Sequence, residues 1–188
     1  MRHKIYALFD FALNSARGLS LEAFLSLPKV RRATILQYRD KVNDFETRRD
    51  NILLLKRRFD GIVIANDDSK LAKLVDGLHV GQEDLLRYGT SSEKAIVKLR
   101  TDLGERMLGL STHNAEEIAK ANALPIDYIG LGAYRATRTK DVTHLLGERL
   151  PLLAAGSRHP VAAIGGVKSD DIIDNIDYLV LGSDLYED

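Results

Sequence analysis

Several short stretches of this chain carry side chains whose type and spacing suit the handling of phosphate groups. In Gln37-Tyr38-Arg39-Asp40-Lys41 an extended backbone would send Gln37, Arg39 and Lys41 to one face. That face then holds a planar guanidinium fork, an ammonium and an amide, a set suited to an oligophosphate. The plain alternative is a solvated charge cluster. Asn66-Asp67-Asp68 and Gly81-Gln82-Glu83-Asp84 supply carboxylates sparsely. Sparse carboxylates suit Mg²⁺, which keeps several waters and completes its shell with substrate phosphates. Asp67 and Asp84 are the expected ligand pair, with helix capping as the competing role for Asp68 and Asp67.

Further along, Ser111-Thr112-His113-Asn114 offers Ser111 as a substrate contact, Thr112 or Asn114 as a helix cap, and His113 as either a general base or a solvated loop residue. The segment from Gly130 to Lys140 combines glycines with alternating hydroxyls and cations, ending in Thr137-Arg138-Thr139-Lys140. Donors and positive charge together suit an anion. Gly165-Gly166 and Gly182-Ser183 would let backbone N–H groups approach a second phosphate, although tight turns alone also call for glycine. Two anion sites imply joining two phosphorylated pieces, or expelling diphosphate from one of them.

These groups need a scaffold that brings distant segments to one place. Eight short apolar runs recur: 5–10, 34–40, 61–67, 78–83, 107–112, 128–133, 161–166 and 178–183. Each ends in a polar or glycine turn and leads to a helix-like stretch. Continuous apolar runs fit strands buried on both faces, and strands alternating with helices imply a parallel sheet with right-handed crossovers. Eight units predict a closed (β/α)₈ barrel, a TIM barrel, over residues 1–188 as one domain, in preference to an open doubly wound sheet. Every candidate above then falls at the C-terminal end of a strand, where such barrels do their chemistry.

Expected helices include 70–76, capped from Asp67-Asp68-Ser69, then 115–123, and a short one from Ser169-Asp170 to near Asn175. After Ser183 too few residues remain for an eighth helix. The seam between strands 8 and 1 is therefore expected to need cover, from the early segment Leu19–Leu27 or from a partner subunit in a homo-oligomer.

Composition narrows the function. Lys+Arg and Asp+Glu number 27 each, a balance that argues against a nucleic-acid partner. There is no cysteine, which excludes thiolate nucleophiles, disulfides and cysteine-bound metals. No apolar stretch is long enough to span a bilayer, so no membrane partner is expected. The apolar run Ile5 to Phe9 after Met-Arg-His-Lys is cut short by Asp10, unlike a secretory signal, and the cytoplasm is the expected location.

The motifs, with His79-Val80-Gly81-Gln82-Glu83-Asp84, Gly109-Leu110-Ser111-Thr112-His113 and Ile164-Gly165-Gly166 among them, stand in the order of the thiamine phosphate synthase family, which the chain resembles from strand 1 to strand 8. That resemblance implies condensation of hydroxymethylpyrimidine diphosphate with hydroxyethylthiazole phosphate, giving thiamine phosphate and diphosphate. In the family diphosphate leaves first, and the thiazole nitrogen attacks the resulting pyrimidine-methyl cation. Carried over, Asp67 and Asp84 are the Mg²⁺ ligands. Gln37, Arg39, Lys41, Asn66, Ser111 and Lys140 contact the pyrimidine diphosphate, with Tyr38 and Asp40 inside the same motif. Thr137, Thr139, Gly166 and Ser183 contact the thiazole phosphate, with Arg138, Gly165 and Gly182 beside them. Arg39, Lys41, Ser111 and Lys140 are the expected catalytic groups. Ala133-Tyr134-Arg135-Ala136 replaces the family's proline-bearing strand 6 loop. The thiazole tautomerase branch, to which His113 would suit, and a non-catalytic precursor-binding barrel are the alternatives.

Overall fold

The computed structural model describes residues 3–136 and 145–187. Eight parallel strands close into a barrel in chain order: β1 (Lys4–Asp10), β2 (Ala33–Arg39), β3 (Ile62–Asn66), β4 (Gly77–Val80), β5 (Met107–Thr112), β6 (Tyr128–Gly132), β7 (Val161–Ile164) and β8 (Tyr178–Leu181). Closure is made by β1 and β8, with Lys4 opposite Tyr178 and Ala7 opposite Leu181. Each of the eight apolar runs read from the sequence is one of these strands.

Strict alternation divides the strand residues between two cores. One set faces inward: Tyr6, Leu8, Ile35, Ile64, Tyr128, Ala162 and Val180 fill the barrel. The other set, including Ala7, Phe9, Leu36, Tyr38, Val63, Val80, Leu110 and Leu131, packs under the helices. Period 2 therefore decides which polar residues near a strand tip reach the mouth.

The helices start where the sequence provides side-chain caps. Asp44 accepts from the Thr47 amide at the head of α4 (Phe45–Arg58), which follows the shorter α1 (Phe11–Ser15), α2 (Leu21–Leu25) and α3 (Pro28–Arg31). Asp68 caps α5 (Ser69–Ala72) through the Lys70 and Leu71 amides, so α5 is shorter than the expected 70–76. Ser91 caps α6 (Ser92–Leu103), whose buried Ala95, Ile96, Leu99 and Leu103 form its inner face. Asn114, not Thr112, caps α7 (Ala115–Ala121) through the Glu117 amide. Among the described residues, the last α-helix is α8 (Leu150–Ala154).

Opposite the mouth, one device recurs. Asp76, Asp127 and Asp177 each stand immediately before an even-numbered strand. Each accepts the N–H of the preceding odd strand: Val63 at 2.8 Å, Leu108 at 2.7 Å and Val161 at 2.8 Å. A carboxylate thus satisfies a backbone donor that the slanted parallel ladder leaves over at its start.

The helix expected from Ser169 to Asn175 is absent, and turns occupy this stretch. Its sequence, Ser-Asp-Asp-Ile-Ile-Asp-Asn, is rich in short polar side chains that compete for backbone groups. Asp171 does this here, accepting from the Lys168 amide while clasping Arg135, and Asn175 takes a left-handed φ of 62°.

Among the described residues, β8 is followed by a single turn, Ser183–Tyr186. The early segment covers the seam. Phe24 on α2 is fully buried with its ring edge-on to Phe9 and tilted against Tyr186, and Val30 on α3 is also fully buried. Lys29 donates to the backbone carbonyl and side chain of Asp184 at 2.8 and 3.1 Å. Of the two expected covers, the segment Leu19–Leu27 lies here through α2, and α3, just beyond it, adds to the cover. Among the described residues, no helix is long and apolar enough to cross a membrane.

Candidate active site

At the C-terminal ends of the strands lies a cavity of about 460 Å³. Gln37, Arg39 and Lys41 line it, as alternation along β2 predicts. Tyr38 and Asp40, expected among the substrate contacts, do not. The same alternation turns Tyr38 outward, where its ring stacks on Phe9 and its hydroxyl donates to Asp40 at 2.7 Å. Asp40 accepts the Val42 and Asn43 amides as well, shaping the turn after β2. Burial works against the charge of Asp40, but these donors hold its pKa below the usual value. Burial and the neighbouring carboxylate push the Tyr38 phenol up. Both residues support the loop that presents Lys41.

Lys41 joins the two acidic turns. Its Nζ lies 3.4 Å from Asp67 Oδ2 and 4.0 Å from Asp84 Oδ2, so both carboxylates converge on one ammonium. Asp67 sits just beyond β3 with a φ of 59°, unusual for a residue with a Cβ and a form of strain often found at functional sites. Its backbone is pinned by the His79 carbonyl at 2.9 Å and the Tyr88 hydroxyl at 2.5 Å, and its Oδ1 accepts the Gly81 amide at 2.9 Å. Burial opposes ionisation of Asp67, yet the Gly81 amide and Lys41 outweigh it and its pKa falls. The pKa of Asp84 rises, through burial and then through the charge of Asp67. The two shifts run in opposite directions because the carboxylates stand close enough to repel, with Lys41 drawing both toward the charged form. Hard oxygen donors in this state fit a small divalent cation. Asp68 plays no part: it caps α5 and pairs with Arg48 at 3.2 Å.

Arg39 reaches the mouth held by Asp10, the last residue of β1, whose other oxygen caps α1 through the Leu13 amide. Asn66 and Ser111 also line the cavity, and Gln82 donates to the Ser111 carbonyl at 2.8 Å, tying the β4 turn to the tip of β5. His113 lies at the rim, exposed, with its Nδ1 3.0 Å from Glu117.

On the far wall, Gly165, Gly166, Gly182 and Ser183 line the same cavity. Gly165 and Gly166 have φ of 88° and 62°, and a Cβ on Gly166 would come within 2.8 Å of the Ala136 carbonyl. Glycine is required here because the loop after β6 packs directly on the loop after β7. Arg135 secures that packing with a bidentate pair to Asp171 at 2.7 and 2.8 Å, which directs its charge away from the cavity. Thr137, Arg138, Thr139 and Lys140 lie outside the described residues.

Beneath the mouth runs a buried polar chain that the motif reading overlooked. His79 is sandwiched between the Tyr128 hydroxyl and Ser111 Oγ, each at 2.9 Å. Tyr128 meets Tyr6 at 2.9 Å, and Tyr6 donates to Gln37 at 2.7 Å. Gln37 donates to Asn66, and Asn66 to Asp67 Oδ2, both at 2.5 Å. Burial holds the His79 imidazole down to about 4. Room for these rings comes from two glycines. A Cβ on Gly109 would lie 2.1 Å from the Tyr128 ring, and one on Gly130 3.0 Å from His79. The available signal was alternation, since Tyr6, His79 and Tyr128 are polar residues at inward positions of otherwise apolar strands.

Comparison with known proteins agrees with this geometry. A family profile described as thiamine monophosphate synthase matches residues 19–182. The chain belongs to the thiamine monophosphate synthase family. A thiamine-phosphate synthase of Persephonella marina is 36% identical over 149 residues, covering 76% of this chain and 67% of that protein. One from Bacillus velezensis is 34% identical over 150 residues, covering 74% of this chain and 63% of that protein. The matched segment thus spans about two thirds of these relatives' own lengths. A thiamine phosphate pyrophosphorylase structure from Pyrococcus furiosus shares the fold, with a TM-score of 0.71 at 21% identity, covering 97% of this chain and 86% of that one.

Proposed function

We propose that this member of the thiamine monophosphate synthase family joins hydroxymethylpyrimidine diphosphate to hydroxyethylthiazole phosphate, releasing diphosphate and forming thiamine phosphate. The observation that carries the reading is the convergence of Asp67 and Asp84 on Lys41, at 3.4 and 4.0 Å, beside Arg39. Asp67 and Asp84 would hold Mg²⁺, which when bound supplies positive charge against the departing diphosphate. Lys41, Arg39 and Lys140 add cationic partners for the same group, and Gln37, Asn66 and Ser111 fix the pyrimidine part. Gly165, Gly166, Gly182, Ser183, Thr137, Arg138 and Thr139 would take the thiazole phosphate through backbone and hydroxyl donors.

In the reaction, the C–O bond to diphosphate breaks with its electron pair leaving on oxygen. The thiazole nitrogen lone pair then closes the new C–N bond. No proton need move at the reacting carbon, so the site needs placed charge more than a general base. The acidic pair favours this reading over the tautomerase one, and the engagement of His113 with Glu117 at the rim points the same way. Phosphorylated substrates, which do not cross bilayers unaided, fit a cytoplasmic site of action. Protein mixed with Mg²⁺ and both substrates should form thiamine phosphate together with diphosphate. Product no faster than in a protein-free control would refute the reading.

A further inference from the structure

The buried chain from Asp67 to Ser111 has seven side chains in line, and elementary donor counting gives it a direction. Asp67 Oδ2, facing Lys41, is an acceptor, so Asn66 must present its amide nitrogen to it. That leaves the Asn66 carbonyl to accept from the Gln37 nitrogen, and the Gln37 carbonyl to accept from Tyr6. A phenol has one hydrogen. Tyr6 has spent its own on Gln37, so Tyr128 must donate to Tyr6, and the only group left to donate at the next contact is His79 Nδ1. The opposite direction would set the Asn66 carbonyl against the Asp67 carboxylate at 2.5 Å, lone pair against lone pair.

We infer that His79 is a positioning residue, held as the Nδ1–H tautomer, whose bare Nε2 takes the Ser111 hydrogen and leaves Ser111 Oγ with acceptor lone pairs alone toward the cavity. The ligand atom that Ser111 meets is then an N–H or O–H donor and not an ionised phosphate oxygen. This last clause rests on the substrate-binding role proposed above; the tautomer does not. His79 is buried, with both ring nitrogens already engaged, by Tyr128 and by Ser111. Because the relay begins on Asp67, one carboxylate at the mouth sets the hydrogen-bonding sense of a hydroxyl across the barrel.

The test is ¹⁵N NMR of histidine-labelled protein at neutral pH without substrate, with the His79 signals assigned by their loss in His79→Gln. Wild type should show a protonated Nδ1 and a bare Nε2. Tyr6→Phe removes the acceptor that orients Tyr128, and should let the Nε2–H form appear. Tyr128→Phe, which cuts the relay one link later, should do the same and serves if Tyr6→Phe is poorly folded. A predominantly Nε2–H wild type, or a tautomer unmoved by both variants, would overturn the inference whatever reaction the protein performs. For the ligand clause, calorimetry with inorganic diphosphate and Mg²⁺ should give Ser111→Ala the wild-type affinity. A loss as large as that caused by Lys41→Ala would show that Ser111 donates to phosphate after all.

Discussion

At the scale of single residues, the barrel mouth is a problem in unlike charges at short range. Lys41 stands within 4.0 Å of both acidic ligand candidates, and Arg39 is tethered by Asp10, so neither cation is a free surface group. As cavity-lining residues, Gln37, Arg39, Lys41, Asp67 and Asp84 were legible in the sequence because each lies on a strand tip or its turn. His79, Tyr6 and Tyr128 were not, since their roles depend on which strands face one another across the barrel, and that is a property of closure. His79 has a measurable signature. Its folded pKa near 4 lies below the unfolded value of 6.5, so the unfolded chain binds the extra proton between those limits. Stability contributed by neutral His79 is therefore present above pH 6.5 and is lost as pH falls toward 4. The gap corresponds to roughly 3 kcal/mol. Denaturant unfolding across this window should show that slope in wild type, and a flatter profile in His79→Gln. Equal slopes would place the acid sensitivity elsewhere.

The elements follow from patterns that local physics enforces. Each strand was visible as a short apolar run, and each well-capped helix began at an Asp, Ser or Asn. The stretch from Ser169 to Asn175 escaped because an apparent cap was read without weighing the run of Asp and Asn behind it, whose side chains hold turns. Tyr38 and Asp40 were misplaced by reading a motif as a block when alternation sends its members to opposite faces. The Asp76, Asp127 and Asp177 device could not be seen in advance, because it requires knowing the neighbouring strand. Asp127 accepts from both the Leu108 amide and Arg100. Asp127→Ala should lower stability by about 1–3 kcal/mol, as loss of a charge-assisted bond to a backbone donor does. Turnover should hardly change, because the residue lies at the end of the barrel remote from the mouth. A large loss of activity at unchanged stability would contradict this division between the two ends.

For the whole molecule, the question is how the described residues cover the seam between β8 and β1. The segment 19–31 answers it by packing Phe24 and Val30 beside β1 while Lys29 reaches Asp184 next to the β8 tip. Phe24→Ala should cost about 3–5 kcal/mol, the range for a buried aromatic truncated in a core. A melting temperature within a degree of wild type would show that the seam is held by something else. Because Ser183 borders Asp184, the same packing also steadies the wall on which the glycine turns of β7 and β8 meet the cavity.

All of this converges on two carboxylates from adjacent strand tips acting as a unit. The direct measurement is the rate of thiamine phosphate formation by Asp84→Asn against wild type over a range of Mg²⁺, with circular dichroism confirming equal folding. A shared metal requires a loss of at least about a hundredfold at limiting Mg²⁺, roughly 2.7 kcal/mol of transition-state stabilisation. A folded Asp84→Asn enzyme that turns over normally at limiting Mg²⁺ would contradict it.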